Sequence, residues 1–222
     1  MYSRDYAGKT LEFEASGGLM QSSLVMQDKQ TDTYWSIMTG GAVGGELDGT
    51  SLIELPVSKK AQWKDWLVEH PDTLVLSVGG IEDVERNVYE QYFTDGRGFR
   101  GQSAEDGRLA TKTPIYAFRY DGVPFAVEAE TIVGGRVFEL PDGRKVLFYR
   151  APGAELLASS VAFVSRDGFE KRDGVWIETG SGSSFAADRL EFQGSSVERL
   201  SGFDTFWYNW SLIHPDTEIL ND

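Results

Sequence analysis

One fourteen-residue pattern occurs twice in this chain and constrains its fold more than any other feature. The pattern W-x-x-W-x-x-x-H-P-D-T-x-x-L begins at Trp63 and again at Trp207, 144 positions later, without a gap. Just upstream, residues 49–55 match residues 194–200. Agreement at this many positions predicts an internal duplication and a pseudo-twofold fold.

The alignment extends further upstream with a change of spacing. Trp35, followed by Thr39-Gly40, is set against Trp176, followed by Thr179-Gly180. The two copies then account for all six tryptophans and both histidines of the chain. We predict a first repeat at residues 1–80, a helix and long connecting loop at 81–112, and a second repeat at 113–222, together forming one compact unit.

Strand signals dominate both copies. Runs of alternating, β-branched or aromatic residues lie beside Asp-Gly dipeptides, which favour hairpin turns because glycine adopts positive φ. The expected strands are Leu11–Glu14, Ser22–Met26, Ile115–Tyr120, Val123–Val127, Val137–Leu140 and Lys145–Tyr149. Pro124 is expected to place its strand towards a sheet edge, because proline cannot donate to a ladder. The predicted fold class is mainly β (β-rich α+β), with pseudo-twofold internal duplication and short helices packed on antiparallel sheet.

Three short helices are expected. Ser58–Glu69 has Ser58 as N-cap and ends before Pro71, which lacks the backbone N–H that a helix needs. Asp204–Ile213 repeats this helix in the second copy, capped by Asp204, and Ile81–Phe93 forms a third. The tryptophans of the two repeated helices are expected to be core residues.

Composition and charge exclude several classes of function. With 41% hydrophobic residues among 222, the chain can bury a substantial core. Its net charge of −14 leaves no basic footprint for nucleic acid or anionic lipid. The absence of cysteine removes disulfides, zinc–thiolate sites and cysteine nucleophiles. No apolar run approaches a membrane span, and residues 1–6 lack the apolar segment of a signal peptide.

The two His-Pro-Asp-Thr segments are the first candidate site. Histidine is suited to acid–base work or metal ligation, and an aspartate lies two residues after each ring. If the copies face each other, the four side chains could converge on one metal or substrate: His70, Asp72, His214 and Asp216. The alternative is structural, with each histidine ending a helix and the Asp-Thr pair stabilising a turn.

The polar stretch from Ser22 to Thr39 is the second candidate. Asp28, Gln30 and Thr31 could line a ligand cleft with the Trp35 indole as its floor, since few polar groups beside aromatic surface typify small-ligand pockets. The alternative is a hairpin turn at residues 28–33 whose side chains hydrogen-bond their own backbone.

Several of these motifs resemble a bacterial family of unknown function, number 3179 in the domain-of-unknown-function series. The resemblance rests on residues 16–40, Leu55-Pro56, the two His-Pro-Asp-Thr segments and Lys112-Thr113-Pro114. It implies a duplicated β-rich domain that is often exported, so an extracytoplasmic location, and no established activity. Family members usually carry a Cys-Pro-x-Cys-like segment upstream. Without cysteine, this chain is expected to be a shortened member that lacks a cysteine-based role.

Three functional hypotheses follow. The first is a non-catalytic module that binds a small molecule, a glycan or a protein. The second is a metal-dependent or acid–base hydrolase that uses the two His-Pro-Asp-Thr segments, with His70 and His214 as metal ligands. The third is a structural subunit of a larger assembly. No cofactor is predicted, although the second hypothesis admits a metal ion.

Overall fold

The structure is a computed structural model and describes residues 1–55, 60–77, 79, 89–194 and 197–221. The first part of the chain begins with a short hairpin, β1 (Asp5–Tyr6) and β2 (Lys9–Thr10). An antiparallel four-stranded sheet follows: β3 (Phe13–Met20), β4 (Ser23–Asp28), β5 (Tyr34–Ser36) and β6 (Ala42–Gly44). The strands predicted at Leu11–Glu14 and Ser22–Met26 are present with shifted bounds, because each begins later and ends later than predicted.

The remaining strands belong to two larger sheets and two small hairpins. They are β7 (Pro114–Tyr120), β8 (Val123–Glu128), β9 (Arg136–Glu139), β10 (Lys145–Arg150), β11 (Ser160–Ser165), β12 (Phe169–Arg172), β13 (Val175–Glu178), β14 (Phe185–Ala186), β15 (Glu191–Phe192), β16 (Glu198–Leu200), β17 (Gly202–Phe206) and β18 (Glu218–Ile219). One sheet has the order β17-β7-β8-β18 and the other the order β16-β11-β10-β9. The predicted β-rich fold class, with several antiparallel sheets and few short helices, is confirmed.

These two sheets pack face to face around the main core, to which the alternate residues of their strands contribute. Those residues include Tyr116, Phe118, Phe125, Val127, Val146, Phe148, Ala162 and Val164. The hairpin strands β7 and β8 meet at Asp121 and Gly122, both with positive φ, as the Asp-Gly signal predicts.

The prediction for Pro124 is wrong. Its strand, β8, lies inside the sheet, because β18 pairs with it in parallel at Phe125 and Ala126. Pro124 comes before those two residues, so its missing N–H costs the ladder no bond to β18.

The helices of the described residues are α1 (Trp63–Glu69), α2 (Glu90–Thr94) and α3 (Trp207–Ser211). Of these, α1 and α3 are shorter than predicted. Positions 58 and 81–88 lie outside the described residues, so the proposed Ser58 cap and the start of the third helix do as well. Asp204 does not cap α3. It is a buried residue of β17, paired opposite Tyr116, and Phe206 occupies the N-cap position.

The outer faces of the two sheets have different covers. Trp207 and Trp210 of α3 pack on Ile115, Ala117 and Ala126, together with Met38 from the first part of the chain. Phe185, Leu190 and Phe192 pack on the outer face of β10 and β11. No helix among the described residues is long and apolar enough to cross a membrane.

Candidate functional site

Each repeated Trp-His-Thr corner forms the same local hydrogen bonds. In the first corner the His70 N–H donates to the Trp66 carbonyl at 2.8 Å, and Thr73 Oγ1 donates to the His70 carbonyl at 2.8 Å. In the second, the His214 N–H donates to the Trp210 carbonyl at 2.9 Å, and Thr217 Oγ1 donates to the His214 carbonyl at 2.6 Å. In both corners the threonine closes the turn that follows the histidine. His70 is the C-cap of α1, whereas α3 ends at Ser211 with Leu212 as its C-cap.

Ring contacts repeat in the same way. The Trp66 and His70 rings lie 4.0 Å apart between centroids, and those of Trp210 and His214 lie 4.2 Å apart. One difference concerns the indole N–H. Trp66 Nε1 donates to Thr73 Oγ1 at 2.8 Å, whereas Trp210 Nε1 has no hydrogen-bond partner among the described residues.

The second corner is buried under a β-hairpin. Trp207 and Trp210 are 0% and 2% exposed, and both contact the outer face of β7 and β8. After the corner the chain continues as β18, which adds to β8 in parallel. This corner is therefore part of the core.

The first corner is exposed. Trp63 and Val68 of α1 are 51% and 83% exposed, and Leu74 and Leu76 after the turn are 94% and 95% exposed. We call this region the α1 corner surface: Trp63, Leu67, Leu74, Val75 and Leu76. The prediction that the tryptophans of both helices are core residues is confirmed for Trp207 and Trp210 and wrong for Trp63, while Trp66 is only partly buried.

One side of α1, which carries Lys64, Asp65 and Val68, faces the second half of the chain. An open cleft of about 390 Å³ lies between them. Residues 151–154 and 187–190 provide the opposite wall. Lys64 forms a 3.8 Å ion pair with Glu155, and the Ser159 N–H donates to the Lys60 carbonyl at 2.8 Å. These contacts hold the start of α1 in place.

His214 has a perturbed environment. Burial and, to a lesser extent, the positive charge of Arg119 lower the pKa of His214 to about 4. Its Nε2 atom is buried and has no hydrogen-bond partner in the described part of the chain. The imidazole is therefore neutral at physiological pH.

The other three residues of the corners lie nearer to solvent. His70 is exposed, with its Nε2 3.9 Å from Glu69 Oε2, and Asp72 and Asp216 are exposed as well. Within the described ranges, which include all four corner residues, no three His, Asp or Glu side chains group as they would around a metal ion.

Asp28 lies at the centre of a closed turn. Its carboxylate accepts hydrogen bonds from Trp35 Nε1 at 2.8 Å and from the Thr31 N–H at 2.7 Å, as well as from the Thr31 hydroxyl and the Gln30 N–H. Burial raises the pKa of the Asp28 carboxyl, but these bonds outweigh it and hold the pKa below its ordinary value. The Gln30 side-chain oxygen accepts from the Glu12 N–H.

A small cleft does lie beside Trp35, with a volume of about 160 Å³. Its walls come from Tyr2, Phe13, Met26 and Trp35 among others, and they are mostly apolar. Asp28, Gln30 and Thr31 are not among its lining residues. The indole thus borders a cleft, and the polar side chains proposed to share it lie in the turn instead.

Sequence reasoning missed a second turn of the same kind. Glu178 Oε2 accepts from the Ser181 N–H at 2.7 Å and from the Ser181 hydroxyl at 2.6 Å. Burial raises the pKa of Glu178, but its hydrogen bonds from Ser165, Ser181 and Gly180 outweigh it and lower the pKa to about 2. A shared spacing in the sequence indicates this turn. An acidic residue is followed by a hydroxyl residue three positions later and by a second hydroxyl residue two positions after that. The two examples are Asp28-Thr31-Thr33 and Glu178-Ser181-Ser183.

Aligning the predicted copies on this turn gives Trp35 a different counterpart. Trp35 lies in β5, after the acidic residue, whereas Trp176 lies in β13, before it. Phe185 of β14 occupies the position that corresponds to Trp35. The alignment of Trp35 with Trp176 is therefore wrong, because it matched a rare residue type rather than the turn.

Comparison with known proteins identifies a matching family. The family model described as "Protein of unknown function (DUF3179)" matches residues 1–217, in agreement with the motifs of the sequence. No curated protein and no solved structure matches the chain.

Proposed function

We propose that this chain, which belongs to the DUF3179 family, is a non-catalytic binding module whose α1 corner surface holds a protein partner. The proposal takes residues 1–80 and 113–222 as two copies of one unit, joined by residues 81–112. The matching hydrogen bonds of the two corners and of the two acidic turns support the duplication.

One observation carries the functional proposal. Two corners with the same sequence pattern and the same local geometry differ in what covers them. Trp207 is fully buried, whereas Trp63 is half exposed and the aliphatic residues after its corner are almost wholly exposed. Several strongly exposed apolar side chains within one short segment typically mark an interaction site.

Backbone geometry supports the same conclusion. Leu74, Val75 and Leu76 belong to no strand of the described chain, although the counterparts of the first two, Glu218 and Ile219, form β18. An apolar segment that lies outside any sheet of the described chain can add as a strand to another polypeptide.

The hydrolase alternative has less support. It needs both corners to contribute to one centre, and the described residues show no such grouping of His, Asp and Glu side chains. His214 is neutral and inside the protein, which suits packing against Trp210 better than proton exchange with a substrate. For the alternative of small-molecule binding, the candidate site is the apolar cleft beside Trp35.

Site-specific photo-crosslinking tests the proposal. A benzophenone amino acid at Val75 should give a discrete protein adduct in an extract of the source organism. The adduct should disappear when Leu74→Lys and Leu76→Lys are added. The matched control carries the crosslinker at Ile53, which is also strongly exposed but lies outside the α1 corner surface. Equal labelling from both positions, or an adduct that survives the two lysines, would contradict the proposal.

A further inference from the structure

The apolar cleft beside Trp35 lies away from the α1 corner surface and has the make-up of a small-ligand site. We propose that this cleft binds a small aromatic carboxylate, with the aromatic ring inside the cleft and the carboxylate paired with Arg4. No residue of the α1 corner surface lines the cleft, so this site is independent of the proposed function.

Strand register brings apolar side chains of the cleft to one face of the first sheet. Met26 of β4 lies directly opposite Trp35 of β5. Phe13 of β3 lies opposite Asp28, two residues further along β4. Side chains two residues apart on a strand share a face of the sheet with those directly opposite them. Phe13, Met26 and Trp35 therefore form one apolar wall of the cleft.

Contacts within the chain fix two aromatic walls of the cleft in place. The Trp35 ring is held by the hydrogen bond from its Nε1 to Asp28 Oδ2 and by edge-to-face contact with Phe13, at 6.1 Å between ring centroids. The Tyr2 hydroxyl donates to the Met38 carbonyl at 2.7 Å, which orients the Tyr2 ring. Because these walls are already ordered, little side-chain entropy is lost when a ligand enters the cleft.

Three polar side chains of the walls are already hydrogen-bonded within the chain. The Tyr2 hydroxyl and the Trp35 N–H have the acceptors given above, and Ser36 Oγ accepts from the Met38 N–H at 3.3 Å. A polar ligand would therefore lose hydrogen bonds to water that these walls do not replace. The cleft volume of about 160 Å³ fits a single ring, because an apolar cavity of about 150 Å³ holds one benzene molecule.

Arg4 supplies the charge that selects a carboxylate. It is the one charged residue among those that line the cleft, and it is exposed to solvent. It forms no ion pair with a carboxylate in the described part of the chain, and the neighbouring Asp5 accepts a hydrogen bond from the Thr10 hydroxyl instead. A guanidinium binds a carboxylate through charge-assisted hydrogen bonds. Because the chain carries a net charge of −14, an anionic ligand needs such a local positive charge.

Phenylacetate provides the probe, with phenylacetamide as its uncharged match. Each compound is titrated into the full chain, and binding is followed by NMR through the methyl resonance of Met26. We expect phenylacetate to shift this resonance and to bind about fivefold more tightly than phenylacetamide, because the carboxylate pairs with an exposed guanidinium. Arg4→Gln should remove that preference. Arg166→Gln, which changes an exposed arginine outside the cleft, should keep it.

A second pair of variants locates the site. Ile37 lines the cleft and is 44% exposed, so Ile37→Trp should fill the cleft and weaken phenylacetate binding at least tenfold. Ile53→Trp, at an exposed position outside the lining, should leave binding unchanged. Urea denaturation checks that both variants fold, and if Ile37→Trp does not, the Arg4→Gln comparison decides alone. No shift at Met26, binding that survives Ile37→Trp, or equal affinities for the acid and the amide would each overturn the inference. None of these results changes the Val75 crosslink, so the two proposals fail separately.

Discussion

Trp63 and Trp207 occupy the same position in two corners of the same sequence, yet the first is 51% exposed and the second is fully buried. Local sequence determines the shape of each corner, because its hydrogen bonds join residues at most seven positions apart. Burial depends on the hairpin β7–β8, which is distant in sequence and covers only one of the two corners.

This difference predicts unequal costs of truncation. Trp207→Ala should lower the free energy of unfolding by about 3–5 kcal/mol, because it leaves a cavity under α3. Trp63→Ala should cost less than about 1 kcal/mol, because much of its side chain contacts solvent. Urea denaturation of both variants measures this. Equal losses would show that α1 is as tightly covered as α3.

The lowered pKa of His214 predicts that the stability of the protein depends on pH. Its folded-state pKa, about 4, lies below the ordinary value of about 6.5, so the folded state resists protonation. Stability from this residue is complete above pH ~6.5 and is lost as the pH falls towards 4. His214→Gln should flatten the stability profile over this range. The His70→Gln control keeps the buried imidazole and should keep the dependence, and the idea fails if the two variants behave alike.

The Glu178 turn predicts a second acid-sensitive contribution. Its folded-state pKa of about 2 is below the ordinary value of about 4.3, so its stabilisation is present above pH ~4.3 and disappears towards pH 2. Glu178→Gln should cost about 1–3 kcal/mol at pH 7 and weaken the acid limb of the denaturation profile. The exposed Glu46→Gln is the charge-matched control. Loss of the acid limb in both would point to net charge instead.

The sequence predicted the strands and hairpins around the Asp-Gly turns because those signals are local. It misassigned Asp204, which has the residue type of a helix cap but lies in β17, where its carboxylate accepts a 3.3 Å hydrogen bond from the Ser160 N–H. A strand pairing across the sheet overrides a local capping preference. Likewise, the sequence is compatible with Asp28 either lining a ligand cleft or bonding its own turn. Only the three-dimensional contacts distinguish these two alternatives.

Substitutions at Trp35 and Asp28 distinguish a structural role of these residues from a ligand-binding role. Trp35→Phe removes the indole N–H donor and keeps an aromatic ring beside the 160 Å³ cleft. We expect a loss of about 1–3 kcal/mol in unfolding free energy, because a buried carboxylate loses one donor. Asp28→Asn should destabilise by a similar amount. A variant that kept full stability while abolishing binding of a small molecule would instead favour the ligand site.

Hydrogen exchange at the two corners tests the central claim most directly. The chain is measured alone and in complex with the partner identified through the Val75 crosslink. We predict that amides of residues 63–77 exchange at least tenfold more slowly in the complex, while residues 207–220, already covered, are unchanged. Unchanged exchange at 63–77, with protection elsewhere on the chain, would contradict the claim that the α1 corner surface is the binding site.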